Sequence, residues 1–429
     1  MPTARPDLPH VVVVGGGFAG LWAIRALANA PVRITVVDRS NHHLFQPLLY
    51  QVATAGLSAP DIAAPLRYIL RRQANAEVRL AEVTAVDPAA CTVTLDDGAQ
   101  LAFDYLLLAT GATHAYFGHD EWAAHAPGLK SLDDALELRR KLLLAFERAE
   151  ACEDPAERAA WLDFAIVGGG PTGVELAGTL AEIARHTLRD QFRHIDPASA
   201  RVRLLEAGPR VLASFPEDLS EKARRQLEKL GVEVRTGVPV TAIDAGGYRL
   251  GEEYVRSRTI VWAAGVAASP LARSLGVPLD RAGRVPVEPD LSVPGYPQVF
   301  VAGDLAAVSR ADGTPVPGVA PAAKQMGRHV ATAIRARLRG VPSPAFRYRD
   351  FGNLATIGRM AAVVDLHGFK LSGVLAWWFW LAAHVFFLIG FRNRLSVLLN
   401  WAWAYWSYQR GARIILGRDA DDADDAPTR

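Results

Sequence analysis

Two stretches of the sequence place glycines between an apolar run and a later carboxylate. The first, HVVVVGGGFAGLWAIRAL, carries Gly15, Gly17 and Gly20 in a G-x-G-x-x-G spacing, and Asp38 ends the following pattern RITVVDRS. Such glycines allow a tight strand-to-helix turn and the close approach of a pyrophosphate, which the helix N-terminus attracts. The carboxylate is placed to hold a ribose 2′-hydroxyl. This stretch therefore predicts a dinucleotide site.

The same pattern recurs in DFAIVGGGPTGVELAGTLAEI, which carries Gly168, Gly170 and Gly173. The stretch ARVRLLEAGPR follows, and the strand predicted within it ends in Glu206. A single motif is weak evidence, because glycine turns often serve structure alone, but two copies argue for two nucleotide sites. The longer spacing before Glu206 predicts a helix that continues through residues 184–195.

The acidic end of the second pattern also bears on which nicotinamide cofactor binds. Glu206 would repel a 2′-phosphate, which favours NADH over NADPH. Arg203 and Arg210 lie nearby in sequence and leave that preference open.

Three further apolar stretches end in small residues and predict strands: 103–113, 258–266 and 297–308. Together with the two loops, they predict an α/β fold in which an FAD domain is interrupted by an inserted NAD domain. Asp304 would then bind the ribityl or pyrophosphate region of FAD. The expected organisation is an FAD-binding domain over residues 1–130 and 285–345, an NADH-binding domain over 131–284, a membrane-anchoring region over 346–418 and a disordered acidic tail over 419–429.

The composition excludes several classes of protein. The 429 residues are 50% hydrophobic and 21% charged, and a formal net charge of +2 gives no field that would attract nucleic acid. Cys91 and Cys152 form neither a C-x-x-C nor a metal-ligand spacing, so neither a redox dithiol nor a metal site is predicted. The N-terminus has no apolar signal region, which predicts a cytoplasmic catalytic body.

The C-terminal region differs from this average. Residues 371–418 contain no Asp or Glu and hold six of the ten tryptophans. Residues 374–391 are apolar over about the minimum length of a membrane span, but His384 and many aromatic residues disfavour a simple span. The residues that recur at helical spacing after it are Leu395, Leu398, Leu399, Ala402, Trp406 and Gln409, with arginines near the ends at Arg392, Arg394, Arg410 and Arg413. The pattern favours an interfacial helix pair; a transmembrane hairpin and a dimer interface remain alternatives.

At this point the chain resembles the type II NADH:quinone oxidoreductases, within the superfamily of two-dinucleotide-binding-domain flavoproteins. The stretches that carry the resemblance are NHHLFQPLLYQVATAGLS, GGGPTGVELAGTLAE, VFVAGDLAAV, PGVAPAAKQMGRHVA, NLATIGRMAAVV, HVFFLIGFRNR and YWSYQRGARIIL, which together span nearly the whole chain. The resemblance implies noncovalent FAD, NADH as the substrate and a membrane quinone (ubiquinone or menaquinone) as the acceptor. It also implies monotopic attachment to the cytoplasmic face of the cell membrane, with a homodimer as a possibility.

The resemblance assigns roles to single residues. Glu175 matches a glutamate beside the flavin, although by itself it is equally a first-turn acid stabilised by the helix dipole. Gln325, on a helix over residues 320–338 whose N-terminus points to the flavin, matches the second of two glutamines at the quinone site. Pro321 stands in place of the first glutamine, which leaves the hydrogen bonding of the quinone open. Lys370 matches a lysine near the quinone channel, with contact to lipid phosphate as the alternative.

The predicted residues fall into two groups. The catalytic residues are Glu175, Gln325 and Lys370. The cofactor-binding residues are Gly15, Gly17, Phe18, Ala19, Gly20, Asp38, Arg39, Gln46, Val83, Thr110, Gly111, Asp304, Lys324, Gln325, Gly168, Gly170, Pro171, Thr172, Gly173, Glu206 and Gly265. Lys324 is expected at the flavin edge or, alternatively, exposed on its helix.

The stretch FQPLLYQVATAG, residues 45–56, matters for what it lacks. It follows the first nucleotide pattern where thiol-handling flavoproteins carry a cysteine pair, and it contains no cysteine. Reduced flavin therefore has no thiol relay there, which directs electrons to a quinone. Two other hypotheses stay open: a soluble ferredoxin or rubredoxin reductase, and a non-catalytic redox sensor that binds FAD and NADH.

Overall fold

The structure is a computed structural model that describes residues 8–389, 391–407 and 410–415, without the side chains of residues 391, 392, 405 and 406. The chain forms two compact units. Unit 1 comprises Met1–Leu44, Ala63–Ala115 and Val266–Phe351, and unit 2 comprises Phe45–Ile62, Tyr116–Gly265 and Gly352–Arg429. The predicted tail at 419–429, Gln409 and the side chains of Arg392 and Trp406 lie outside the described residues. The predicted division into an FAD-binding and an NADH-binding domain, with boundaries at residues 131 and 285, stays a prediction.

Helices occur in both units. In chain order, the α-helices of the described residues are α1 (Phe18–Ala26), α2 (Leu49–Ala53), α3 (Ala59–Ile62), α4 (Leu66–Leu70), α5 (Leu132–Ala151), α6 (Pro155–Trp161), α7 (Pro171–Glu182), α8 (Glu217–Lys229), α9 (Ala320–Leu338), α10 (Val374–Phe387) and α11 (Phe391–Ser407). The predicted helix over 320–338 is confirmed as α9. It begins after Val319 and has Pro321 in its first turn, where proline is tolerated.

Strands are mostly short. They are β1 (His10–Val14), β2 (Arg33–Asp38), β3 (His42–Leu44), β4 (Ala63–Pro65), β5 (Ala76–Leu80), β6 (Val83–Asp87), β7 (Thr92–Leu95), β8 (Gln100–Ala102), β9 (Tyr105–Leu108), β10 (Ala112–His114), β11 (Asp163–Val167), β12 (Arg201–Glu206), β13 (Val232–Thr236), β14 (Val240–Asp244), β15 (Gly247–Leu250), β16 (Glu253–Arg256), β17 (Thr259–Trp262), β18 (Val266–Ala268), β19 (Val285–Pro286), β20 (Ser292–Val293), β21 (Tyr296–Val301), β22 (Ala306–Ala307), β23 (Asn353–Gly358), β24 (Ala361–Leu366) and β25 (Phe369–Ser372).

Unit 1 is built on a six-stranded sheet in the order β20-β21-β9-β1-β2-β5. The pairs from β21 to β5 are parallel. Every residue of β1 is buried, as expected for a parallel strand that is covered on both faces and therefore reads as a continuous apolar run. The crossover from β1 through α1 to β2 places the first glycine loop at the carboxyl end of the sheet.

Unit 2 repeats this arrangement with a four-stranded parallel sheet in the order β13-β12-β11-β17. The strand β11 is entirely buried, and α7 follows it as α1 follows β1. Two antiparallel sheets complete the unit, β14-β15-β16 and β23-β24-β25. The α/β prediction, with strands ending at the two glycine loops, is confirmed.

The helix predicted to run through residues 184–195 is wrong in its length. Helix α7 ends at Glu182, a π-helical turn covers Ile183–Thr187, and the chain then leaves helical geometry. The carboxylate of Glu150, on α5, accepts hydrogen bonds from the backbone N–H groups of residues 193–195 at 2.8–3.1 Å. Because a distant side chain satisfies these donors, the segment needs no helical bonds.

The C-terminal apolar region forms two separate helices, α10 and α11. At 1.5 Å per residue, the fourteen residues of α10 extend about 21 Å, less than the roughly 30 Å of a bilayer core. Within the described ranges, neither these nor any other helix has the length and apolarity needed to span a membrane.

Candidate active site

The first glycine loop is bound tightly to its own unit on one side and open on the other. The N–H of Gly16 donates to Oδ2 of Asp38 at 2.6 Å, and the N–H of Ser40 donates to Oδ1 at 2.7 Å. A Cβ on Gly20 would lie 1.9 Å from the carbonyl oxygen of Gly15, whereas a Cβ on Gly17 would meet no atom within 4 Å. Open space thus remains where α1 presents its first-turn N–H groups, which lack intrahelical partners.

The second loop has the same geometry. The N–H groups of Gly169 and Gly208 donate to the two carboxylate oxygens of Glu206, each at 2.6 Å. A Cβ on Gly173 would lie 1.9 Å from Gly168 O, and one on Gly170 would meet nothing within 4 Å. Pro171 and Thr172 begin α7 and are exposed.

The two arginines that left the NADH preference open are engaged elsewhere. Arg203 is buried in an ion pair with Asp163, and its Nε lies 3.0 Å from Oε2 of Glu233. Arg210 donates to the carbonyl oxygens of Phe215 and Ala213 at 2.7 and 2.9 Å. Both side chains are therefore committed to their own unit, which leaves Glu206 to set the charge beside the second loop.

Other predicted residues of unit 1 lie at the ends of its strands. Thr110 follows β9, and its buried hydroxyl has no hydrogen-bond partner among the described residues. Gly111 has a φ of +69°, and a Cβ there would meet nothing within 4 Å. Asp304 lies in a 3₁₀ turn after β21. Two residues lie apart from these groups: Val83 is buried in β6, and Arg39 is exposed, 3.8 Å from Glu82.

Helix α9 carries two predicted residues with different surroundings. The Lys324 ammonium lies over the rings of Phe18 and Trp22, 4.9 and 4.6 Å from their centroids, and burial lowers the pKa of Lys324 to about 8. The amide of Gln325 forms two hydrogen bonds with the backbone of Arg349, both at 2.9 Å. In this structure, Gln325 therefore ties α9 to the chain that follows it.

His43 completes an aromatic cluster with Phe18 and Trp22, and sequence reasoning missed it. Its ring meets Phe18 edge-on at 5.0 Å, and its Nδ1 lies 2.9 Å from the carbonyl oxygen of Gly16. Burial lowers the pKa of His43 to about 4, so the ring is neutral and donates from Nδ1. Its buried Nε2 has no partner among the described residues. The only signal in the sequence was its position after the first nucleotide pattern.

Glu175 lies on the second turn of α7 and is buried. The N–H of Thr356, on β23, donates to Oε1 of Glu175 at 3.5 Å. Burial raises the pKa of Glu175 well above its usual range, and the Thr356 N–H opposes that shift only in part. The carboxyl group is therefore harder to ionise than an exposed first-turn acid.

The stretch FQPLLYQVATAG folds into α2 and the turns beside it, and contacts the C-terminal helices. The indole Nε1 of Trp401 donates to Oε1 of Gln51 at 2.7 Å, and Gln51 donates to the hydroxyl of Tyr50 at 2.9 Å. Gln46 is exposed and donates to the carbonyl oxygen of Lys130 at 3.2 Å. The ring of Phe45 meets His384 edge-on at 6.3 Å.

Two further predicted residues, Lys370 and Gly265, lie in different surroundings. Lys370 projects from β25 and donates to Oδ1 of Asp218 at 2.5 Å, with its side chain 36% exposed. Gly265 is half-buried between β17 and β18. The roles predicted for both residues stay predictions.

The described tryptophan side chains of α10 and α11 divide into two sets. Trp377, Trp380 and Trp401 are buried, so these three pack within unit 2 and do not contribute to an interfacial surface. Trp378 and Trp403 are 56% and 64% exposed. Six other apolar residues of the two helices are exposed as well: Leu375, Phe386, Phe387, Leu395, Leu398 and Leu399.

Comparisons with known proteins agree with this arrangement. The family described as pyridine nucleotide-disulphide oxidoreductase matches residues 9–327, and the NDH2 C-terminal domain matches residues 351–406. Two type II NADH:quinone oxidoreductases of Mycobacterium tuberculosis, Ndh and NdhA, are 47% and 46% identical over 98% and 97% of this chain, and over 93% and 91% of their own lengths. The solved structure of NDH2 from Plasmodium falciparum in complex with NADH aligns with a TM-score of 0.86 at 19% identity, covering 95% of this chain and all of that one.

Proposed function

Because this chain belongs to the type II NADH:quinone oxidoreductase family, we propose that it oxidises NADH through noncovalent FAD and reduces a membrane quinone without pumping protons. The observation that carries the proposal is the pair of glycine loops, each with a half-buried carboxylate that accepts a loop N–H and with an open helix N-terminus. When bound, FAD supplies the chemistry that links a two-electron hydride donor to a quinone.

The residues of unit 1 fit FAD. The open space beside Gly17 and Gly111 leaves room for a pyrophosphate and its sugars, and the buried hydroxyl of Thr110 offers an unused hydrogen bond. Asp38 accepts two N–H groups and retains lone pairs for a ribose hydroxyl. With Asp304, these residues would hold the cofactor.

The N-terminus of α9 and Lys324 provide positive potential in the same unit. Val319, the N-cap residue of α9, makes no capping hydrogen bond from its side chain to the described residues, and the helix dipole favours negative charge at this end. Burial lowers the pKa of Lys324 to about 8, so the side chain is still mostly protonated at neutral pH. These groups would stabilise the negative charge of a reduced ring system.

The residues of unit 2 fit NADH. Gly170 leaves open space at the start of α7, and Glu206 would receive a ribose hydroxyl and repel a 2′-phosphate. We assign to Glu175, whose pKa is raised by burial, either the ordering of the nicotinamide or the supply of a proton during quinone reduction. Gln325 and Lys370 remain candidates for the quinone site.

Attachment to the cytoplasmic leaflet through α10 and α11 is the second part of the proposal. The exposed face formed by Leu375, Trp378, Phe386, Phe387, Leu395, Leu398, Leu399 and Trp403 supports a monotopic attachment. Exposed apolar surface of this kind marks a membrane or protein interface. A second copy of the chain is the alternative occupant.

One assay tests the reaction. The purified holoenzyme should be yellow, should bleach with NADH, and should recover its colour when a ubiquinone or menaquinone analogue is added. If quinones fail to reoxidise the NADH-bleached protein while a ferredoxin succeeds, the quinone assignment is wrong. Bleaching without steady-state turnover with either acceptor would support a redox sensor instead.

A second assay tests the attachment. The double variant Leu375→Glu, Leu399→Glu should no longer float with liposomes, because both side chains are exposed on the apolar face. Val341→Glu, at an apolar position of unit 1 that is 47% exposed, is the control and should float as the wild type does. If the wild type stays in the aqueous fraction as a dimer and the double variant is a monomer, a second copy covers the face.

A further inference from the structure

A cavity of about 450 Å³ lies within unit 2 beside the end of α11. Its apolar wall includes Leu143 and Phe146 of α5, Phe192 and Trp403. Arg410 and Arg413 also line it. A pocket that combines aromatic walls with guanidinium groups fits a ligand that is apolar at one end and anionic at the other.

The two arginines are held in place by the surrounding unit. Nη2 of Arg410 lies 3.3 Å from Oε2 of Glu182, and its Nη1 donates to the carbonyl oxygen of Thr54 at 3.3 Å. Arg413 donates from Nη1 to Oε1 of Gln191 at 2.7 Å and from Nε to the carbonyl oxygen of Arg410 at 3.0 Å. Burial and the neighbouring charge of Arg410 lower the pKa of Arg413. An anion at this position would favour the charged form of Arg413 and so oppose the lowering of its pKa.

The cavity is continuous with the exposed apolar face of α11. Trp403 lines the cavity and is 64% exposed, and Leu399, one turn earlier on the same face, is 62% exposed. Ile415 also lines the cavity and is partly exposed. A ligand could thus place its charged group at the arginines and its chains along this face.

We propose that this cavity binds the phosphodiester headgroup of an anionic phospholipid, with Arg413 and Arg410 as the charged contacts and the acyl chains over Trp403 and Leu399. The inference deepens the proposed attachment of α10 and α11 to the membrane and rests on it. Free phosphate shares the headgroup's charge, but it would leave the aromatic wall unoccupied. A quinone headgroup is neutral, so it could accept hydrogen bonds from the two guanidinium groups but would leave their charge uncompensated.

Removing the charge of Glu147 should have the opposite effect to removing that of Arg413. This exposed carboxylate also lines the cavity and opposes an anion there. Glu147→Gln should therefore tighten anionic lipid binding, whereas Arg413→Gln should weaken it at least about ten-fold through the loss of a charge-assisted hydrogen bond. The matched controls are Glu137→Gln, a similarly exposed change on α5, and Arg225→Gln, an exposed arginine of α8.

The experiment titrates detergent-solubilised holoenzyme with short-chain phosphatidylglycerol, phosphatidylcholine or inorganic phosphate, and counts bound ligands by native mass spectrometry. We expect one phosphatidylglycerol per chain, preferred over phosphatidylcholine, with opposite shifts for Arg413→Gln and Glu147→Gln and none for either control. Equal binding of the two lipids would overturn the proposal, as would equal affinities in all four variants. Phosphate binding that depends on Arg413 without lipid binding would show an anion site only and also overturn it.

A separate readout distinguishes this proposal from the attachment on which it rests. Arg413→Gln should still float with pure phosphatidylcholine vesicles, because the apolar face is intact, and should lose only the extra binding that phosphatidylglycerol adds. If the wild type fails to float with any vesicle, the attachment fails. If it floats equally with both vesicle types and Arg413→Gln does the same, only the headgroup site fails.

Discussion

The two nucleotide loops make nearly the same contacts, yet different elements pack on the helices that follow them. In both, a carboxylate at the end of the second strand accepts an N–H of the loop at 2.6 Å, and a Cβ on the third glycine would lie 1.9 Å from the first glycine's carbonyl oxygen. Helix α1 is covered by α9, where a Cβ on Gly327 would lie 2.0 Å from Ala19 O. Helix α7 is covered by β23, where a Cβ on Gly178 would lie 1.6 Å from Ile357 O.

This difference in cover changes what each helix offers. Trp22 and Glu175 each lie two residues after the third glycine of their loop. Beneath α9, Trp22 forms a cation–π contact with Lys324. Beneath β23, Glu175 is buried against the Thr356 N–H, and burial raises its pKa. The loops supply the same binding device, and the covering elements determine the chemistry beside it.

The largest effects are expected where the two loops are most alike. Gly20→Ala should give protein that loses FAD, and Gly173→Ala protein that keeps FAD but is no longer reduced by NADH. In each case, the new Cβ overlaps a backbone carbonyl, which costs about 1–3 kcal/mol or more and opens the loop. Bound flavin is measured by absorbance after gel filtration, and NADH reduction by anaerobic titration.

Gly17→Ala and Gly170→Ala are the matched controls for folding, because a Cβ at either position meets no protein atom within 4 Å. Measured on the apoproteins, their melting temperatures should equal that of the wild-type apoprotein, while the affinity for the respective dinucleotide falls. Loss of FAD from Gly173→Ala and retention in Gly20→Ala would reverse the assignment of the two units.

The next effect tests the difference between Trp22 and Glu175. Glu175→Gln should lower quinone-dependent turnover by about 100-fold if the carboxyl group supplies a proton. Bleaching by NADH should persist if that is its only role. Loss of bleaching together with turnover would instead assign Glu175 to the ordering of NADH. Stopped-flow absorbance measures the two steps separately.

The same variant has a stability signature. The pKa of Glu175 is raised above its ordinary value of 4.5, so between pH 4.5 and the folded-state pKa the unfolded chain releases a proton that the folded chain keeps. The free energy of unfolding of the wild type therefore decreases as pH rises through this window. Glu175→Gln lacks this term, so its melting temperature should exceed that of the wild type by a margin that grows as pH rises from 4.5 towards the folded-state pKa of Glu175. A constant margin would mean that Glu175 is ionised in the folded protein.

Local sequence patterns predicted many of the features compared here, because turns, strands and helix ends depend mainly on neighbouring residues. The two G-x-G-x-x-G turns, their acidic strand ends and α9 follow from spacing alone. The end of α7 does not, because Glu150 of α5 satisfies the backbone beyond it. Likewise, Trp401 is buried because Gln51, 350 residues earlier, accepts its N–H. No periodicity in the sequence encodes such distant partners.

A smaller effect is expected at the carboxylate of the second loop. Glu206→Gln removes the charge that would repel a 2′-phosphate and keeps one acceptor for the N–H of Gly169. The ratio of kcat/KM for NADPH to that for NADH should rise about ten-fold, which corresponds to roughly 1.4 kcal/mol. Asp38→Asn, the same change in the first loop, should leave this ratio unchanged. Equal shifts in both variants would show that the two loops do not divide FAD and NADH between them.

The smallest effect concerns what holds the cover of α1 in place. Gln325→Ala removes two hydrogen bonds to the backbone of Arg349, each worth about 1 kcal/mol, and should lower the free energy of unfolding by roughly 1–2 kcal/mol. If Gln325 has only this role, the KM for quinone should stay within about two-fold, because the change acts through α9 and not on the acceptor. Thr332→Ala, which removes one hydrogen bond of an exposed side chain to the backbone of the same helix, is the control and should change neither quantity measurably. A rise of ten-fold or more in the quinone KM, with unfolding unchanged, would instead place Gln325 in contact with the quinone and make α9 a part of the acceptor site as well as the cover of the nucleotide helix.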